Sequence, residues 1–247
     1  MVAVDRRIIV LSSKRSTHHA FLEGLLQGKR YTYDNNVTVT KTGALDINRT
    51  TSSDEPADAP LVYVASFERR YRLPDLYRTD AYRELLDRHT SPEDPQRVIY
   101  LRDPLNTIAS TYSAHLKTDY FANFSYVTVN VAQWVDLARY VLDGGGGETF
   151  VYANRFLADD AYRTGCLEAL GFGDYRLSEK LSRFGGGGNT YLQDKKAAIT
   201  PDALESRYLT YATDEKYLAL IRENRALFLA FCAHVGDERM TEAVGSL

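Results

Sequence analysis

Arg6-Arg7-Ile8-Ile9-Val10-Leu11-Ser12-Ser13-Lys14-Arg15-Ser16-Thr17-His18-His19-Ala20-Phe21-Leu22 opens the chain with a short apolar run, a basic polar turn and the first apolar positions of a helix. Ile8 to Leu11 is β-branched and unbroken, the pattern of a strand covered on both faces. Ala20, Phe21, Leu22, Leu25 and Leu26 then follow at helical spacing. A second stretch repeats the arrangement: Arg97-Val98-Ile99-Tyr100-Leu101-Arg102-Asp103-Pro104-Leu105-Asn106-Thr107-Ile108-Ala109-Ser110. Here Pro104 suits a first helical turn, where no backbone N–H is needed. Each unit places cationic side chains and helix N-terminal amides where a parallel strand ends, the usual anion position in an open α/β sheet. Two such units point to a ligand with two separate anionic groups.

Outward from these units the same alternation continues. Leu61–Phe67 and Thr149–Tyr152 read as further strands. Asp75–His89, Val127–Leu142, Asn154–Leu170, Pro201–Tyr211 and Asp214–Val235 read as helices, with Trp134 in the core. Strands alternating with helices predict a three-layer α/β/α domain around a central parallel sheet. One domain is expected over 1–247, with 31–60 a polar connection holding at most a small hairpin and 183–200 an irregular segment. Both are expected to cover substrate or cofactor, because long loops in compact domains often do.

Composition narrows the function. The 247 residues are 44% apolar, enough for a sizeable core, and carry a net charge of −3. No global basic field is present, so nucleic acid is not an expected partner and any anion site is local. The two cysteines, Cys166 and Cys232, lack metal-ligand spacing and read as buried thiols of a reducing compartment. No long apolar run suggests a membrane span. The sequons at Asn36, Asn48 and Asn123 read as chance, and a cytoplasmic location is expected.

The first turn is similar in place and shape to a Walker-type phosphate loop but lacks its glycines and the Gly-Lys-Ser/Thr ending. The combination of strand, basic-Ser-x-Thr-like turn and helix with strand-Arg-Asp-Pro and a later Ser resembles sulfotransferases that use 3′-phosphoadenosine-5′-phosphosulfate (PAPS). The paired histidines look like those of some bacterial members. The resemblance implies a P-loop-like sulfotransferase fold, PAPS as co-substrate, PAP as product, and no metal. It implies that Lys14, Arg15, Ser16, Thr17, His18 and His19 surround the 5′-phosphosulfate, with Arg15 steadying the bridging oxygen. Arg102 and Ser110 correspond to the pair on the 3′-phosphate. Arg183, Gly185, Gly186 and Gly187 fall where the family has a glycine-containing loop over that phosphate, whereas Gly144 to Gly147 reads as a linker.

Two departures stand out. Thr17 occupies a position that is usually glycine in the family, and Ser66-Phe67-Glu68 replaces a His-Leu-Pro-like segment. Sulfuryl transfer needs a group to take the acceptor's proton. Glu68, with a carboxyl raised by burial, leads as general base, followed by His18 or His19 and then His115. Tyr31, Tyr33, Phe67 and Tyr126 flank the expected cleft. The acceptor is expected to be a hydroxyl or amine of a small molecule or glycan. The alternatives are a P-loop-like small-molecule kinase and a catalytically inert nucleotide-binding protein of the same fold.

Overall fold

The computed structural model describes residues 2–26, 28–53, 60–68, 75–117, 123–172 and 206–247. A six-stranded sheet runs through them in the order β4-β3-β5-β2-β7-β8. Its strands are β2 (Arg6–Ser12), β3 (Arg30–Val39), β4 (Leu45–Ser52), β5 (Leu61–Phe67), β7 (Gln96–Leu101) and β8 (Thr149–Tyr152). All neighbours are parallel except β3 and β4, which form an antiparallel hairpin at one edge. Two short segments, β1 (Val2–Ala3) and β6 (His89–Thr90), pair separately.

The period of two along each strand divides the core. Ile8 and Val10 of β2, Val62 and Val64 of β5, and Val98 and Tyr100 of β7 face one side. There they meet Phe21, Leu22, Leu25 and Leu26 of α1 (His18–Leu26) and Leu167 of α6 (Asp160–Ala169). Ile9, Leu11, Tyr63, Phe67, Ile99 and Leu101 face the other. That side is covered by α2 (Asp80–Asp87), α3 (Pro104–Lys117), α4 (Ser125–Leu142), α7 (Glu215–His234) and α8 (Glu238–Ser246). Trp134 is fully buried at its centre, with Phe228 and Phe231 at T-shaped ring angles and its indole N–H on the Arg102 carbonyl at 2.9 Å. The expected three-layer α/β/α class is present.

The chain leaves central β2 toward β3, but leaves neighbouring β7 toward β8 on the other side. The carboxyl ends of β2 and β7 therefore flank a topological switch point, where a crevice opens in such sheets.

The structure departs from the sequence reading in several elements. Over 31–53 the expected connection is a long hairpin joined to the sheet: Tyr31, Tyr33, Val37 and Val39 alternate with polar residues as strand β3, which turns at Gly43 (φ 85°) into β4, while 54–59 lie outside the described residues. This edge strand makes the sheet mixed rather than wholly parallel. Asp75–His89 divides into a 3₁₀ turn (Leu76–Arg78), α2 and strand β6. Asn154–Leu170 divides at Asp159 (φ −115°, ψ 107°), which ends α5 (Ala153–Ala158) and caps α6 by accepting from Tyr162 N. Over Pro201–Tyr211 the described part is a 3₁₀ turn, Arg207–Tyr211, while 201–205 lie outside the described residues. Beyond α7, Gly236 (φ 69°) reverses the chain and Asp237 caps α8, a helix the sequence reading lacked. The glycine segment with Arg183, Gly185, Gly186 and Gly187 lies outside the described residues, as does the rest of 183–200. Among the described residues no helix is long and apolar enough to cross a membrane.

Candidate active site

Three adjacent parallel strands deliver the candidate residues to one rim. Register pairs Leu11 with Phe67 and Ser12 with Tyr100. Glu68 and Arg102, just beyond β5 and β7, thus stand on either side of the β2 exit, at strand spacings of about 5 Å each.

The exit of β2 is a tight turn. Ser12 and Ser13 are fully buried, and the Ser12 carbonyl accepts from Gln133 Nε2 of α4 at 2.7 Å. Arg15 (φ 67°) and Thr17 (φ 70°) both adopt left-handed backbone, with buried Ser16 between them. Alternating handedness curls a chain so that successive amides line a concavity, a general anion-binding shape. The arrangement is strained, because a β-branched residue at positive φ is a genuine outlier. Thr17 is thus a non-glycine residue in a conformation that favours glycine. Its hydroxyl bonds to the Ser16 carbonyl and lies 3.3 Å from Tyr100 OH. Lys14 lies over the Tyr126 ring with Nζ 5.5 Å from the centroid, and both Lys14 and Arg15 are half-buried.

Helix α1 starts at the two histidines, and both face Glu68. Glu68 Oε1 is 3.3 Å from His18 Nε2 and 3.5 Å from His19 Nε2, with the imidazole centroids 4.1 Å apart. His18 is almost fully buried and its Nδ1 contacts Ser16 Oγ at 3.3 Å. His19 Nε2 also lies 3.3 Å from Asn35 Oδ1. Asn35 in turn accepts from Tyr33 OH at 3.0 Å, and Tyr33 meets Ser66 Oγ at 2.8 Å.

Burial alone would push the Glu68 carboxyl up, but the adjoining His18 and His19 imidazoles outweigh it and hold it well below the usual carboxylate range. The expected upward shift of Glu68 is therefore reversed, since the carboxylate has two nitrogen-bearing rings beside it rather than an apolar wall. His18 is shifted down, first by burial and then by His19, against the opposing pull of Glu68. Burial, with the Glu68 charge, pushes the Tyr33 phenol far up, so it serves as a hydrogen-bond donor.

The exit of β7 is built differently. Buried Arg102 places Nε 3.5 Å from Asp103 Oδ2. Asp103 caps α3, its Oδ1 accepting from Asn106 N at 2.7 Å and Asn106 Nδ2 at 2.9 Å. Its Oδ2 accepts from Asn154 Nδ2 at 3.1 Å. Burial pushes the Asp103 carboxyl up, opposed by Arg102 and these donors. Ser110 lies two turns along α3, buried, and its hydroxyl accepts from Arg207 Nη1 at 2.8 Å.

The structure gathers Ser16, Thr17, His18, His19 and Glu68 in one contact network, with Lys14 and Arg15 on the same turn. It puts Arg102 and Ser110 on the β7–α3 unit, where Arg102 contacts Asp103 and Ser110 contacts Arg207. His115 is placed apart, about 16 Å along α3 from the helix start, against Tyr112 and Phe124 with centroids at 6.2 and 5.4 Å. Sequence reasoning missed Arg207, Ser66 and Asn35. Arg207 is remote from both motifs, but the period of two from Tyr31 and Tyr33 was a usable signal for Asn35.

No family model and no curated protein matches the sequence. A solved structure described as "Sulfotransferase Domain from the Synechococcus PCC 7002 Olefin Synthase" superposes with a TM-score of 0.43 at 13% identity. The match covers 89% of this chain and 94% of that one. Likeness of that degree says nothing of activity.

Proposed function

We propose that the protein is a PAPS-dependent sulfotransferase acting on a hydroxyl or amine of a small-molecule or glycan acceptor. The observation that carries this reading is the clustering of three strand exits: the Lys14–His19 turn after β2, Arg102 after β7, and Glu68 after β5. The first two offer separate anion positions at the switch point, and the third brings a carboxylate against two imidazoles.

In this reading the curled amides and Arg15 hold the 5′-phosphosulfate and stabilise charge on the departing bridging oxygen. Arg102 and Ser110, with Arg207 behind Ser110, hold the 3′-phosphate. A guanidinium fork suits phosphate oxygens. The acceptor oxygen attacks sulfur in line, the new O–S bond forms as the S–O bond to the bisphosphate breaks, and the acceptor's proton passes to the cluster. Because Glu68 is held ionised, an imidazole is the better proton acceptor and Glu68 stabilises the imidazolium. His19, the more exposed of the two rings, takes that role.

Thermal-shift measurements with PAP and with magnesium-ATP, followed by assay of labelled sulfate transfer from PAPS to phenols, amines and sugars, test the proposal. Stabilisation by PAP, its loss in Arg15→Ala and Arg102→Met, and transfer to an acceptor are expected. Stabilisation by magnesium-ATP alone would turn the reading to a kinase. PAP binding without transfer to any acceptor would leave the inert protein.

A further inference from the structure

We infer that His18, His19 and Glu68 form a binding site for a single divalent transition ion of the zinc type. One ligand atom from each residue lies within 4.8 Å of the others. Two imidazole nitrogens and one carboxylate oxygen are a donor set that suits zinc and related borderline ions.

The separations fit a shared ion better than they fit hydrogen bonds. Ligand bonds of about 2.0–2.1 Å at tetrahedral angles place donor atoms about 3.3 Å apart. Glu68 Oε1 stands 3.3 Å from His18 Nε2 and 3.5 Å from His19 Nε2. His18 Nε2 and Glu68 Oε1 are both buried and face each other, and neither makes an aligned hydrogen bond to a third group among the described residues. Buried polar atoms without such a partner are rare and point to something that binds between them.

The surroundings also hold the donors in place. Ser16 Oγ at His18 Nδ1, 3.3 Å away, can fix the tautomer that leaves Nε2 free to ligate, as outer partners of metal-bound histidines do. Asn35 Oδ1, which accepts from Tyr33 OH and Ser66 Oγ, also lies 3.3 Å from His19 Nε2, so zinc takes that nitrogen only by displacing this contact. The positive end of α1 opposes a cation here, and the Glu68 carboxylate offsets it. Three protein ligands leave one tetrahedral position for water or an acceptor oxygen.

The site goes beyond the proposed sulfuryl transfer, but its three side chains are those assigned to proton handling. Zinc and a proton compete for the same lone pairs, so a zinc-loaded protein is expected to transfer sulfate more slowly than the metal-free one.

The test uses untagged full-length protein stripped with a chelator and titrated with zinc chloride against a chromophoric chelator. One zinc per chain is expected, with affinity at least tenfold weaker in Glu68→Gln and in His19→Ala. Circular dichroism checks that both variants fold. Cobalt added to the stripped wild type gives a second readout, an intense visible band from a tetrahedral site that zinc displaces. Absence of stoichiometric zinc binding by the wild type, or unchanged affinity in both variants, would overturn the site. PAP binding by the stripped protein is measured in parallel, so failure of the zinc site and failure of the sulfotransferase reading are told apart.

Discussion

Arg207 and Ser110, 97 residues apart in sequence, meet in a buried hydrogen bond of 2.8 Å between Nη1 and Oγ. The same turn is held by Tyr208 N on Asn106 Oδ1 at 3.1 Å. The Arg207–Tyr211 turn is thus clamped onto α3 beside Ser110, the residue proposed above to hold the 3′-phosphate. Ser110→Ala leaves a buried guanidinium N–H without this acceptor, a loss of about 1–3 kcal/mol. Urea denaturation of Ser110→Ala, Arg207→Met and the double variant is expected to show positive coupling. Strictly additive losses would refute the link.

Thr17 carries a second prediction. Left-handed backbone costs an ordinary residue about 1–2 kcal/mol, partly offset in Thr17→Gly by glycine's greater freedom in the unfolded chain. A net gain of about 1 kcal/mol is expected, or about 2–4 °C in Tm for a chain of this size. A lowered Tm would show that the bond to Tyr100 outweighs the strain.

Asp103 neutralises Arg102 and caps α3 at once. Asp103→Ala removes the carboxylate that lies 3.5 Å from buried Arg102 Nε, and breaking a buried pair destabilises by about 3–5 kcal/mol. Asp103→Asn, which keeps a hydrogen-bonding group at the cap, is expected to lose less. Equal losses in the two variants, read from denaturation midpoints, would contradict this division of labour.

Acid sensitivity follows from the histidine–carboxylate cluster. His18 titrates below its ordinary 6.5 in the folded protein, so on acidification the unfolded chain takes up this proton first. Stability is therefore lost as pH falls from about 6.5, by at most about 1.4 kcal/mol per pH unit. Glu68, held below its ordinary 4.5, contributes stability above that value and loses it further down. Both effects have the same sign. Tm measured from pH 8 to 2 is expected to fall in two stages, and His18→Gln to flatten the upper one. An unchanged upper limb in that variant would show that another group is responsible.

Much of this architecture was legible because strands β2, β5, β7 and β8 are short, continuous apolar runs bounded by turn residues. Leu61–Phe67 and Thr149–Tyr152 have the same ends in sequence and structure. The hairpin of β3 and β4 was harder, since Asn, Thr and Asp dominate it and the pairing that makes it strand is non-local. Asp34 illustrates this: a turn-former by composition, it is buried in β3 and accepts from Tyr63 OH at 2.7 Å. At the site, Glu68 and the histidines were readable as chemistry, while their mutual contact depends on β5 ending beside the start of α1. The direction of the Glu68 shift could not be read without those neighbours. The Arg207–Ser110 bond had no local signal, because nothing in sequence ties a late turn to the middle of α3.

Tyr33 sits where β3 is paired on both sides, to β4 and to β5, and Asn35 follows on the β4 side. A flank woven into the sheet in this way cannot swing aside to admit a bulkier guest. On the proposed reading, the fit of an acceptor at the histidine–carboxylate corner is set by the side chains that this paired strand carries. Swapping residues 33 and 35 is then a route to retuning it without redrawing the backbone.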